Sequence, residues 1–119
     1  MGLQTPPSDD IYIILFRVST LNEAKGGLFM EFEWDKNKAT ANLSKHNVSF
    51  DEAKTVFSDP LYVDFYDIDH SDDEHRYIIV GQSQQSRLLI VSYMELEYAI
   101  RLISARKTTR LEREIYEKG

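Results

Sequence analysis

Residues 100–113 read Ile-Arg-Leu-Ile-Ser-Ala-Arg-Lys-Thr-Thr-Arg-Leu-Glu-Arg, IRLISARKTTRLER. The first half has the apolar and β-branched content of a strand. The second half holds Thr109-Arg110-Leu111-Glu112, a threonine followed three residues later by a glutamate, which is the signature of a capped helix start. The stretch therefore predicts a strand over 98–105 that feeds directly into a C-terminal helix. Leu111 and Ile115 are four apart and are expected to form that helix's buried stripe. The pairs Arg110–Glu114 and Arg113–Glu117 are spaced to support each other along it.

Upstream of this stretch the period is two. Strands are expected over 88–93 and 76–82, joined by the polar turn Ser83-Gln84-Gln85-Ser86. Residues 67–74 form a charged loop, and before it Leu61, Val63 and Phe65 alternate with Tyr62, Asp64 and Tyr66, as in a half-buried strand. Asp59-Pro60 ends the preceding segment. That segment is a helix opened by Ser49-Phe50-Asp51-Glu52, a second capping box, with Phe50, Ala53, Val56 and Phe57 on one side. Asp35 is a suitable N-cap for an earlier helix over 36–46, and Asn47 suits the left-handed residue that closes it. A short strand at Phe32-Glu33-Trp34 starts the series, with Trp34 expected to pack as a staple beside the helix start. The order is β-α-α-β-β-β-β-α, an α+β fold: an antiparallel sheet with two N-terminal helices and one C-terminal helix.

A chain of 119 residues has room for one domain and one core. It contains no cysteine, so neither disulfides nor thiolate metal sites hold it together, which fits a reducing cytoplasm. Its longest apolar run, 11–16, falls far short of the roughly 20 residues of a membrane helix. Residues 1–29 read differently from the rest. Lys25-Gly26-Gly27 stands where its codons can spell a ribosome-binding site ahead of Met30. The natural start is therefore expected at Met30, with 1–29 a leader and 30–119 the single domain.

Charge is unevenly spread in a chain of net charge −6. Residues 51–74 carry nine acids against one base, whereas 101–113 carry five bases against one acid. Basic residues ordinarily favour helix C-termini, so a basic cluster at a helix start sits against the dipole, and an anion would relieve the conflict. Guanidinium groups stay charged and present a planar fork to phosphate oxygens. Arg106 at the strand end, Lys107 beside it and Arg110 in the first helical turn are thus candidate phosphate ligands. Ser104 is expected on the same strand face as Ile100 and Leu102, with Arg106 continuing that alternation. Arg101 and Arg113 also suit ion-paired surface positions.

Three blocks in order resemble a known family: FEWDKNKATANLSKHNVSFDEAKTVFSDP over 32–60, Glu74-x-Arg76, and IRLISARKTTRLEREIYE over 100–117. Together they are similar to the BrnT toxins of bacterial type II toxin–antitoxin systems. Glu95-Leu96-Glu97-Tyr98 departs from the short glycine-containing turn usual in that family. The resemblance implies a RelE-like fold and RNA cleavage without a metal or other cofactor. It also implies a BrnA-like antitoxin with a ribbon-helix-helix part as partner, DNA being reached only through that antitoxin. The chemistry needs proton transfer and charge stabilisation at a phosphate. Arg76, Arg106, His46 and Glu74 are the candidate catalytic residues, and Ser104, Lys107, Arg110, Arg113 and Lys45 the candidate RNA-binding ones. Two further readings compete. One is a non-catalytic binding module on the same basic patch, and the other a metal nuclease using Asp64, Asp67, Asp69, His70, Asp72 and Asp73.

Overall fold

The computed structural model describes residues 31–68 and 75–119. The expected leader and Glu74, Asp69, His70, Asp72 and Asp73 lie outside the described residues. The elements are β1 (Phe32–Glu33), α1 (Lys36–His46), α2 (Phe50–Ala53), a 3-10 turn (Lys54–Ser58), β2 (Val63–Tyr66), β3 (Arg76–Gln82), β4 (Leu88–Glu95), β5 (Ile100–Lys107) and α3 (Arg110–Lys118).

Local chemistry accounts for the helix limits. Asp35 accepts the Asn37 N–H at 2.7 Å, and Asn47, at φ 59°, closes α1 by donating its N–H to the Leu43 carbonyl. Ser49 caps α2 through the Glu52 N–H, but Glu52 does not return the bond as a full capping box would. Its buried carboxylate instead accepts from Ser83 Oγ at 2.6 Å and from Arg87 Nε at 2.9 Å, pinning the β3–β4 turn to α2. The second helix is also shorter than expected, tightening into the 3-10 turn before Asp59.

The sheet order is β1-β5-β4-β3-β2. All neighbours are antiparallel except β1 and β5, which run parallel with Phe32 opposite Ile100, so the sheet is mixed rather than antiparallel throughout. A two-residue strand carries no pattern that chooses its neighbour, and α1 and α2 carry the chain from β1 at one edge to β2 at the other. Without a glycine, the β4–β5 connection still closes, with Glu95 opposite Ile100 and the Leu96 N–H on the Ala99 carbonyl at 3.2 Å.

One face of the sheet carries the core. Ile79, Leu89, Val91, Tyr93, Ile100, Leu102 and Ala105 pack there against Val48, Phe50, Ala53, Val56 and Phe57. Trp34 meets Phe50 edge-on at 5.7 Å and joins this cluster as the expected staple. Leu61 and Phe65 are exposed, while Tyr62 packs on the core and Asp64 accepts the Tyr93 hydroxyl at 3.2 Å. The apolar series of β2 therefore faces away from the helices.

Asn42 solves a problem at the edge of β5. Beyond the two residues paired to β1, the strand's outer groups need partners. The Asn42 amide supplies them: Nδ2 donates to the Ala105 carbonyl at 2.8 Å and Oδ1 accepts the Ala105 N–H at 3.0 Å. Nδ2 also donates to the Val48 carbonyl at 2.9 Å. A side-chain amide thus continues the ladder where β1 stops.

Gly81 marks a close approach. A Cβ there would stand 2.9 Å from Val56 Cγ1 and 3.3 Å from both Asp59 Oδ2 and Tyr62 Cβ. Gly81→Ala should cost about 1–3 kcal/mol of folding stability by overpacking this junction, measured by urea unfolding. A stability equal to the parent's would show that the junction has slack.

Candidate active site

The candidate site forms on the sheet face turned away from the core, and a β-bulge decides what reaches it. Ser92 pairs with Ser104 but Tyr93 pairs with Leu102, so Ile103 is an extra residue in β5. Ile100, Leu102 and Ala105 face the core as a result, and Ser104 and Arg106 turn to the opposite face. Strict alternation places them with Ile100 and Leu102; the bulge overturns that expectation. Arg101 differs as well. It is 1% exposed, with Nη1 3.7 Å from Met94 Sδ, and so is no surface residue.

Asp67, Arg76, Ile78, Ile90, Ser92, Ile103, Ser104 and Arg106 line a pocket of about 370 Å³. Arg76 opens β3 and Arg106 lies near the end of β5, so the two guanidiniums come from strands separated by β4. Asp67, at the end of β2, is held by its N–H on the Arg76 carbonyl at 2.8 Å. Two hydroxyls, Ser92 and Ser104, stand opposite each other across the β4–β5 pair.

Arg106 is fixed by α3. Its Nη1 and Nη2 donate to Glu112 Oε1 and Oε2, each at 2.9 Å, and Nη1 also donates to the Lys107 carbonyl at 3.2 Å. Glu112 closes the expected capping box too, accepting the Thr109 N–H at 2.8 Å while Thr109 Oγ1 accepts the Glu112 N–H at 3.2 Å. The Arg106 bonds, opposed by burial, hold the Glu112 carboxyl below its ordinary value, and the same pairing raises Arg106. The inward face of α3 is thus Glu112 and Tyr116, whose hydroxyl donates to Asp59 Oδ2 at 2.7 Å. Leu111 and Ile115, expected as a buried stripe, are exposed at 68% and 42%. Polar anchors tie this helix down, and its apolar residues point outward.

Of the catalytic and RNA-binding candidates named from sequence, Arg76, Ser104 and Arg106 line the pocket. Lys107 and Arg110 are exposed at the junction of β5 and α3, outside its lining. Arg113 is exposed and lies 4.0 Å from Glu117, an ion-paired surface residue. Half-buried His46 and exposed Lys45 end α1, which packs on the core side, and neither lines the pocket. Asp67, named from sequence only as a metal ligand, lines it too, and Ser92 does so without any sequence signal of its own. The β2–β3 pairing, which places Asp67 next to Arg76, is the signal that would have found the first. The carboxylates of the metal reading that are described do not converge. Asp64 faces Tyr93 on the core side and Asp67 lines the pocket, and the described residues hold no group of three potential metal ligands.

Among the described residues, three carboxylates have folded values below their ordinary ones. For Glu52 the Arg87 bond outweighs burial. For Glu112 the cause is Arg106. For Asp59 burial pushes upward, but the Gln82 N–H, the Tyr116 hydroxyl and the Leu61 N–H together outweigh it. A lowered folded value means stability that is present above the unfolded value and lost as pH falls through the folded one. The urea midpoint should therefore hold from about pH 7 to 5 and fall between about pH 4 and 3. An unchanged midpoint across that lower interval would contradict the pairing of these groups.

The molecule is thus an α+β protein with a two-arginine pocket on the open face of its sheet. Residues 34–112 match the family described as "Ribonuclease toxin, BrnT, of type II toxin-antitoxin system". The chain belongs to this BrnT family. The Brucella abortus ribonuclease toxin BrnT, known from a crystal structure at 1.1 Å, is similar in fold, with a TM-score of 0.55 at 19% identity, covering 69% of this chain and 100% of that one. No curated protein matches the chain. No described helix is long and apolar enough to cross a membrane.

Proposed function

We propose that this chain is the toxin of a type II toxin–antitoxin system and cleaves RNA without a metal ion, on an architecture of the RelE-like kind. The observation that carries the reading is that Arg76, Arg106 and Ser104 line one pocket. RNA contains its own nucleophile, the 2′-hydroxyl. Cleavage needs that proton removed, the leaving 5′-oxygen protonated, and the added negative charge on the phosphate stabilised. The two guanidiniums supply the charge stabilisation, and Ser104 donates to a phosphate oxygen. Asp67, lining the same pocket, is the described carboxylate placed to accept the proton. Lys107 at the end of β5 and Arg110 at the start of α3 add positive charge at the strand–helix junction outside the pocket lining. Glu74, two residues before Arg76 in sequence, keeps its expected role of orienting Arg76 or accepting a proton, whereas His46 and Lys45, outside the pocket lining, have supporting roles at most.

The protein acts in the cytoplasm, and its partner is a BrnA-like antitoxin whose ribbon-helix-helix part contacts DNA. The test has two arms. Induced expression should arrest growth, with rescue by a co-expressed ribbon-helix-helix protein encoded beside it. The purified chain should cleave RNA at the same rate with and without EDTA. Cleavage abolished by EDTA would overturn the metal-free mechanism, and absence of both arrest and cleavage would overturn the ribonuclease reading.

A further inference from the structure

We infer that Glu112 is a positioning residue for Arg106, holding the guanidinium by one edge so that its other edge receives the phosphate. This inference rests on the ribonuclease reading above and adds a residue from outside the pocket lining. A guanidinium has five N–H donors in one plane. In Arg106 both Nη1 hydrogens are engaged, one with the Lys107 carbonyl and one with Glu112 Oε1, and one Nη2 hydrogen is engaged with Glu112 Oε2. The two donors left are Nε–H and the second Nη2–H. Planarity makes them neighbours and parallel, a complete fork for two oxygens of one phosphate.

The carboxylate therefore does not compete for the donors that substrate would use. It fixes the long side chain in one orientation before RNA arrives, so the ordering is not charged against the transition state. Glu112 is itself fixed from behind by the Thr109 N–H. Because that bond belongs to the capping box, the start of α3 and the orientation of the catalytic arginine are set by one side chain.

The experiment compares Glu112→Gln, Thr109→Ala and Arg106→Ala, alone and in combination, by steady-state cleavage of an RNA oligonucleotide. Glutamine keeps an acceptor for the Thr109 N–H but replaces half of the fork with a donor facing a donor. Glu112→Gln should lower kcat on the order of tenfold with KM little changed. Thr109→Ala removes the other half of the capping box and leaves the Glu112–Arg106 pair, so cleavage should stay within about twofold of the parent. In the Arg106→Ala background, Glu112→Gln should have no further effect, because the two residues act as one unit.

A parental kcat in Glu112→Gln, an equal loss in Thr109→Ala, or an undiminished Glu112→Gln effect without Arg106 would each overturn the inference. These outcomes are separate from failure of the function itself. Absence of cleavage by the parent overturns the ribonuclease reading and this inference with it, whereas parental cleavage by Arg106→Ala leaves that reading standing and overturns this inference alone.

Discussion

Arg106→Ala should lower the rate of RNA cleavage by about 10²–10³-fold, the usual cost of removing one oriented donor from a developing oxyanion. The residue stands near the end of β5 on the pocket face, its charge is fixed at every accessible pH, and Glu112 already orders it. Arg106→Lys should recover only part of the loss, since an ammonium keeps the charge but presents no planar fork. The side chain is 42% exposed, so the ion pair's share of folding stability is small, under about 1 kcal/mol. Activity and stability should therefore separate. Initial rates on an RNA oligonucleotide in EDTA, beside urea unfolding of the same sample, provide the comparison. Cleavage within about threefold of the parent would remove Arg106 from the reaction and leave the cut to other groups of the pocket.

The second large effect concerns the fold. Asn42→Asp changes almost no volume, yet it should destabilise the protein by about 3–5 kcal/mol near neutral pH. In place of Nδ2, an oxygen would face the carbonyls of Val48 and Ala105, two acceptors 2.9 and 2.8 Å from the present donor. The site is 6% exposed, so water does not relieve the conflict. Part of the loss should return on acidification, when a protonated carboxyl again donates one hydrogen bond. Unfolding in urea at two pH values measures both parts. A loss below about 1 kcal/mol would mean that the β5 edge does not depend on this amide.

Much of this architecture was legible because its signals are local. Asp35 and Asn47 bound α1 at both ends, and β3 begins and ends where the period-two pattern does. Thr109 and Glu112 form the capping box their spacing implies. The features that escaped are set by contacts distant in sequence. The β1 neighbour, the diversion of Glu52 from its cap to Arg87, and the outward turn of Leu111 and Ile115 all depend on which surfaces meet. Arg76 and Arg106 could be named as a pair from residue type and family likeness. Asp67 and the fixing of Arg106 by Glu112 required the sheet to be assembled.

Ile103 has a consequence for how the length of β5 can vary. Because Ile103 and Ser104 together oppose Ser92, the strand carries one residue more than its neighbour. Losing that surplus would straighten the ladder while leaving Ala105 inward and Arg106 outward. One residue added between Ala105 and Arg106 would invert the rest of the strand and drive the arginine toward the apolar interior. Among homologues or engineered variants, shortening by one should thus be tolerated at Ile103, whereas lengthening after Ala105 should abolish cleavage.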